Sequence, residues 1–464
     1  MEARKIGELQ RMLNRYLGEF DDCFSRSEPA ENLRVYVNGQ LSDLQRKSVE
    51  PMADRAGVPP RTLQQFLSLA DWDDPEMTDR VEQIVARDHS HALSIGILDE
   101  TGHPKKGKKT AGVQRQWCGA RGKVDNCVVT VHISYVAGAF HTLLPGALFL
   151  PKAWSLDRDR CREAKIPDEV VHQPKWQMAL ALRRRAVANG VRFEWMTADE
   201  GYGEVPAFLF ALDDCGQRYV VEVPSTFHGW LRRPEVLQKQ PRSRRRRGRK
   251  PRYPRLKVKN LPTLEARNMV RYGRPFREQP WVKFHIKDST LGPEVWEVKA
   301  AAIWLKRDGL PTWSHWLIAA RNVLEPEKIK YFVSNAPPGV PLEVQLHVAF
   351  SRFQVERCFE EAKGELGLDQ FEVRNYRSLQ RHLLLTAVSH LFLAKVHQTW
   401  RGGKSAVDGP PDPPGGRGVD SFAVADRAGA SQLPGEGSRA HRRDATAEPE
   451  IPAQPRQSPQ EAVA

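Results

Sequence analysis

Two short apolar runs in this chain of 464 residues close on the same dipeptide. Residues 92–98 (ALSIGIL) lead into Asp99-Glu100, and residues 191–198 (VRFEWMTA) lead into Asp199-Glu200. Short apolar runs bounded by polar residues read as buried strands. In open α/β sheets reactive groups gather outside the carboxyl ends of the strands, so Asp99 and Asp199 converge if their strands are neighbours. A strand-end Asp is also a common helix cap or turn former. Glu100 and Glu200 are rival acids, but an adjacent residue on a strand points to the opposite face.

The rest of the chain is read around these two strands. Residues 1–90 carry a helical period, with Leu9, Met12, Leu13, Tyr16 and Leu17 on one face and a second run over 41–56. That run ends in Gly57-Val58-Pro59-Pro60 before the period resumes at Arg61, a pattern compatible with a helix-turn-helix that binds DNA or with a plain helical module. Strands are expected over 125–138, 139–150 and 219–223, and helices over 175–188 and 206–212. Strands first, then alternating helix and strand, indicate a mixed α/β sheet over 91–223. Residues 224–340 read as a β-rich insertion, with strands over 281–286, 295–304 and 314–320. A helical segment covers 341–400, including one long helix over 344–366. Residues 401–464 are 28% Pro and Gly, the profile of a disordered tail. A frameshift near residue 400 that replaced helical sequence is one account of that change, and a plain disordered extension is the other.

Charge is equally uneven. The formal net charge is +14, and residues 231–260 hold fourteen Lys or Arg against one acid, Glu235. Nearly all of the excess therefore sits in one Pro-broken arm, the arrangement expected for contact with a polyanion. An irregular Arg-dense segment (Arg244, Arg245, Arg246, Arg247, Arg249, Lys250) neutralises phosphates without fixing a groove geometry. The six cysteines are scattered without a C-x-x-C pair, which argues against a zinc ribbon or a disulfide framework. No run is apolar and long enough to cross a bilayer, and the first twenty residues lack a signal-peptide core, so a cytoplasmic chain without a membrane partner is expected.

A divalent metal that must keep waters and bind phosphate calls for a few carboxylates and little else. Two Asp and a third acid from a helix crossing the sheet would make a two-metal site for phosphodiester chemistry. The late helix offers Glu356, Glu360, Glu361 and Glu365. Arg352, Glu356 and Lys363 fall within about 60° of one another on a 3.6-residue helix, and Glu360 continues the face of Glu356. An ordinary solvated face with i,i+4 pairs is the alternative. The basic segment 105–109, following Asp99, suits phosphate contact through Lys105, Lys106 and Lys108, or is a solvated turn.

Several blocks then point to one family. Leu98-Asp99-Glu100-Thr101-Gly102 with Lys105-Lys106-Gly107, Gly112-Val113-Gln114-Arg115-Gln116 and Gly122-Lys123-Val124-Asp125-Asn126-Cys127 resemble the DDE transposases of the insertion sequence 701 family. Thr197-Ala198-Asp199-Glu200-Gly201-Tyr202-Gly203 and the block from Glu356 to Asp369 follow in the same order. The resemblance covers roughly residues 10–400. It implies an RNase H-like catalytic core interrupted by a β-strand insertion and preceded by an all-α N-terminal domain. It further implies Asp99, Asp199 and Glu356 as a triad binding Mg²⁺ or Mn²⁺, and Arg352 and Lys363 as contacts to DNA. In the related insertion sequence 4 group a Tyr precedes this Arg; here that position is Ala349, beside Phe350. The partners implied are double-stranded DNA at terminal inverted repeats and in the target, with self-association in a transposition complex at the bacterial nucleoid. Two alternatives stay open: a metal-dependent nuclease that cuts without joining, and an inactive, transposase-derived DNA-binding protein.

Overall fold

A computed structural model describes residues 3–239, 253–289 and 292–401. Five helices come first: α1 (Ala3–Gly18), α2 (Ser27–Gln40), α3 (Val49–Ala56), α4 (Pro60–Ser68) and α5 (Asp74–Asp88). The helical run expected over 41–56 is halved. Helix α2 stops at Gln40 and Lys47 is drawn inward, its ammonium donating to the Gln40 carbonyl at 2.9 Å, which holds 41–48 as a loop. Gly57, at φ 67°, closes α3 in the left-handed conformation that a side chain disfavours, and Pro60 opens α4. The helix, tight turn, helix pattern is therefore present.

The mixed sheet follows as β1 (Ile95–Pro104), β2 (Gln114–Cys118), β3 (Lys123–Ala137), β4 (Phe140–Leu143) and β5 (Ala147–Leu148). Helices α6 (Lys152–Leu156), α7 (Arg158–Glu163) and α8 (Lys175–Ala188) lead to β6 (Trp195–Ala198), then α9 (Glu200–Gly203), α10 (Pro206–Asp214) and β7 (Val220–Val223). Strand β1 lies between β3, antiparallel, and β6, parallel. It does not end at Asp99 as expected, because its ladder with β3 continues to Pro104. Its ladder with β6 stops at Leu98 and Ala198.

The insertion is not separate from this scaffold. Short pairs β8 (His228–Gly229), β9 (Val236–Leu237), β10 (Arg255–Leu256) and β11 (Leu264–Glu265), with α11 (Ala266–Tyr272) and α12 (Arg274–Arg277), precede four long strands. These are β12 (Val282–Ser289), β13 (Gly292–Arg307), β14 (Leu310–Asn322) and β15 (Glu325–Ser334), an antiparallel meander whose last strand pairs with β7. A parallel bridge between Met196 and Tyr219 ties β7 to β6, so the second sheet grows from the edge of the first.

The chain then returns through α13 (Leu342–Phe350), α14 (Phe353–Gly364) and α15 (Tyr376–Arg401). The single helix expected over 344–366 is two, broken at Ser351-Arg352. Phe350 packs on Trp296 and Phe332 of the insertion, with ring centroids 4.7 and 5.8 Å away, and α14 turns back over the first sheet. Helix α15 threads the N-terminal helices. Its Arg381, fully buried, donates to Asp74 and to the carbonyls of Phe66, Ala70 and Trp72. Leu385, Val388 and Leu391 of α15 share one core with Leu17, Leu33, Phe66 and Val81. Among the described residues no helix is long and apolar enough to cross a membrane.

Candidate active site

The geometry begins where two ladders part. Asp99 and Asp199 each follow the last parallel-paired residue of β1 and β6, Leu98 and Ala198. Adjacent parallel strands lie about 4.8 Å apart, so the two residues stand as neighbours where the parallel ladder stops. Asp99 stays on β1 with its side chain 14% exposed, and one carboxylate oxygen accepts the Glu100 amide at 2.7 Å. Asp199 caps α9, its carboxylate accepting the Tyr202 amide at 3.3 Å. Helix α9 can lie this close to β7 because of Gly203: a Cβ there would stand 1.8 Å from the Glu222 carbonyl oxygen.

Burial, joined by the negative charge of Asp199, pushes the Asp99 carboxyl up to about 7, against the opposing pull of the Glu100 amide and Arg352. Glu356 enters from the first turn of α14 and is 55% exposed. Arg352 connects the two elements: its guanidinium lies 3.1 Å from Glu356 and 3.7 Å from Asp99. Arg352 thus stands as a cation between two of the three expected acids. Among the described residues, no three His, Cys, Asp or Glu side chains gather closely enough to hold a metal ion. The donor set itself suits a hard divalent cation, since two carboxylates side by side where the parallel ladder stops, one of them buried, repel each other until a cation lies between them.

The rival acids are placed elsewhere. Glu100 points away from Asp99 and pairs with Lys175 at the start of α8. Glu360 is exposed. Glu361 turns to His141 of β4, 3.0 Å away, and to Arg357. Burial, and then the charges of Glu222, Glu204 and Asp199, raise the Glu200 carboxyl.

The expected phosphate contacts divide. Lys106 and Lys108 are exposed on the loop after β1. Lys105, next to Lys106 in the chain, is turned inward: its ammonium donates to the carbonyls of Asp369 and Phe371 at 2.9 and 2.7 Å and lies 3.4 Å from the Phe371 ring centre. Burial lowers it to about 8. Lys363 donates to the Gly102 carbonyl at 3.3 Å, so it links α14 to β1 directly. Arg244, Arg245, Arg246, Arg247, Arg249 and Lys250 lie outside the described residues, as does the tail from 402. The arm departs from β9 and returns at β10, and Glu235 and Lys257 pair at its base at 2.8 Å.

One residue at the site had no assigned role in the sequence reading. Tyr202, in the Gly201-Tyr202-Gly203 turn after Asp199, is buried with its hydroxyl in the field of Glu100, Asp99 and Asp199, and burial with those charges raises it well above the ordinary phenol range. Its place between two glycines was the available signal. Beside Glu356, a cleft of about 170 Å³ opens between α13, α14 and the second sheet, lined by Trp296, Phe332, Phe350, Lys330 and Arg352 among others.

Comparison with known proteins places the chain in a family. Residues 19–283 match the family model described as DDE superfamily endonuclease, and residues 176–392 match a transposase DDE domain. The first span contains Asp99 and Asp199, the second Asp199 and Glu356. A probable transposase for insertion sequence element IS701 from Microchaete diplosiphon is 27% identical over 231 residues, 49% of this chain. The match covers 58% of the length of that relative.

Proposed function

The chain belongs to the DDE superfamily of endonucleases, and from that premise we propose that it is an insertion-sequence transposase with an RNase H-like core. In this reading it cuts DNA at terminal inverted repeats and joins the freed 3′-hydroxyl ends to target DNA. Endonucleases of this superfamily use divalent metal ions; here the ion would be Mg²⁺ or Mn²⁺, held by Asp99, Asp199 and Glu356. When bound, it would stabilise the charge that develops on the attacking and leaving oxygens of the phosphodiester. The observation that carries the proposal is the seam at Leu98 and Ala198, which sets Asp99 beside Asp199 under the helix bearing Glu356.

The chain's own residues have distinct tasks in this scheme. Asp99 and Asp199 are fixed by strand and cap, whereas Glu356 is exposed and tethered through Arg352, so it is the acid free to adjust as DNA enters. Arg352, once released from the two carboxylates, is within reach of the scissile phosphate. Lys106, Lys108 and the Arg-rich arm would hold the DNA backbone, while Lys363, through the Gly102 carbonyl, keeps α14 seated on β1 and Lys105 fastens the segment that follows α14. Helices α3 and α4 would serve end binding, with Arg61, Gln64 and Gln65 on the exposed side of α4.

Purified protein, Mg²⁺ or Mn²⁺ and a duplex carrying the ends that flank the gene should yield both cleaved and joined products. Asp99→Asn, Asp199→Asn and Glu356→Gln should each abolish both while leaving DNA binding. Cutting without joining would support a nuclease, binding without cutting an inactive relic. Cleavage that survives all three substitutions would place the chemistry elsewhere.

A further inference from the structure

Beyond Asp99, β1 and its neighbours carry a charge pattern that the proposed site does not use. Residues 101–124 contain seven Lys or Arg and no Asp or Glu. The fold concentrates them at one end of the first sheet, in the loop after β1 and in the β2–β3 hairpin. Arg115 on β2 and Arg121 and Lys123 at the hairpin turn are exposed. In the middle of these cations is an apolar pair: Trp117, 60% exposed, lies directly opposite Val124, 53% exposed. Asn126, on the same face of β3 as Val124, donates to the carbonyls of Lys105 and Gly107 at 2.6 and 2.9 Å, which fastens the lysine loop beside the hairpin.

We infer that this hairpin, with Trp117 at its tip, is a second contact for duplex DNA, set back along the duplex from the cleavage position. The inference rests on the reading that the chain acts on DNA. Side chains alternate along a strand, so Val124, Asn126 and His132 share one face of β3, and His132 is paired across the ladder with Asp99. The hairpin tip and Asp99 therefore belong to one face of the sheet. Val124 lies about 26 Å along β3 from His132 at about 3.3 Å per residue. Val128, Thr130 and His132 on that face are buried between the two points, so a duplex bridging them passes outside the sheet; at about 3.4 Å per base pair the separation amounts to about eight base pairs between Trp117 and the phosphate at Asp99.

The composition of the patch selects the partner. The centre of a protein–protein interface is depleted of charge, whereas here cations surround an aromatic and an aliphatic side chain. An apolar wedge flanked by Lys and Arg is the arrangement by which proteins enter a minor groove between base steps while neutralising the phosphates on either side.

The test compares full-length protein with Arg115→Ala/Arg121→Ala/Lys123→Ala and with Trp117→Ala. Binding is read by fluorescence anisotropy on a duplex of the element end that extends a full helical turn past the cleavage position, over a salt series. Loss of three phosphate contacts lowers the slope of log K against log salt by about 2.7. Trp117→Ala leaves that slope unchanged and weakens binding roughly tenfold, the loss of one stacking or wedge contact. On a duplex cut short of the hairpin, wild type and both variants bind alike. Thermal midpoints stay the same, because every substituted side chain is exposed. An unchanged slope in the triple variant, beside a normal wild-type slope, overturns the proposal. So does a Trp117→Ala protein that changes its self-association and not its DNA affinity, since the patch is then an interface between copies. If the wild type binds no duplex at any salt, the reading of the chain as a DNA enzyme fails with it.

Discussion

Replacing Asp99 by Asn separates the cost of the site from its use. Free in water, an Asp side chain titrates near 3.8; on β1, burial and the neighbouring Asp199 hold it at about 7. Because the folded value is the higher one, the folded protein binds the proton more tightly than the unfolded chain. The stability this contributes is complete below about pH 3.8 and is lost as pH rises through about 7. Each pK unit is worth about 1.4 kcal/mol, so the full penalty above pH 8 is about 4 kcal/mol, and at pH 5 it is about 1.7 kcal/mol. Asn is a close isostere that keeps an oxygen for the Glu100 amide and carries no charge. It forfeits the 3.7 Å approach of Arg352, a contact worth at most about 1 kcal/mol. The stabilisation of Asp99→Asn over wild type should therefore be larger at pH 8 than at pH 5 by about 2.5 kcal/mol. Urea denaturation in EDTA at the two pH values measures it directly, and titrating Mg²⁺ or Mn²⁺ into the wild type at pH 8 should recover part of the difference. An identical free-energy change at both pH values would refute the reasoning, because Asp99 would then titrate like any exposed carboxylate.

Two further outcomes concern the helices that hold the site in place. Arg381→Met leaves Asp74 with only the 3.6 Å contact of Arg377 among the described ion pairs and strips donors from three buried carbonyls, so it should cost about 3–5 kcal/mol in urea denaturation; a loss under about 1 kcal/mol would show that α15 does not clamp the N-terminal helices. For Glu361, burial pushes its carboxyl up, but the His141 hydrogen bond, His390 and Arg357 outweigh it and hold the group at about 2. Its contribution is thus present above the ordinary Glu value and lost as pH falls toward 2. Glu361→Gln should cost about 1–2 kcal/mol at pH 7, discounted for its partial exposure, with the deficit shrinking below about pH 4.5 and closing only toward pH 2; a deficit constant with pH would exclude the charge as its source.

What was legible in the sequence follows the range of the interaction that fixes each element. Helix α8 falls at Lys175–Ala188 and β3 at Lys123–Ala137, close to expectation, because apolar period and the Asn189-Gly190 stop are local signals. The break at Ser351-Arg352 had no such signal. No Gly or Pro interrupts 342–363; the helix breaks because Phe350 is drawn to Trp296 and Phe332 while Arg352 is drawn to Asp99, contacts with partners 18 to 253 residues away in the chain. Lys105 shows the same limit. It is indistinguishable from Lys106 and Lys108 by composition, yet the extra length of β1 beyond Asp99 carries it beneath Phe371, where its ammonium meets carbonyls instead of solvent.

That extra length also explains why an opening exists at Asp99 at all. Had β1 ended there, as its apolar run suggests, Asp99 would begin a loop and its carboxylate would be free to choose any direction. Instead the antiparallel ladder with β3 holds the backbone of Asp99 rigid for five residues more, while β6 departs into the cap of α9. One acid is thus fixed by a ladder and the other by a helix start. The gap between them arises from the mismatch in length of two ladders on one strand, not from any special residue in either run. Such a gap is reproducible to within the rigidity of the sheet, which is the condition for two neighbouring carboxylates, one of them buried, to face one cation at a cost in stability that the pH experiment on Asp99 measures.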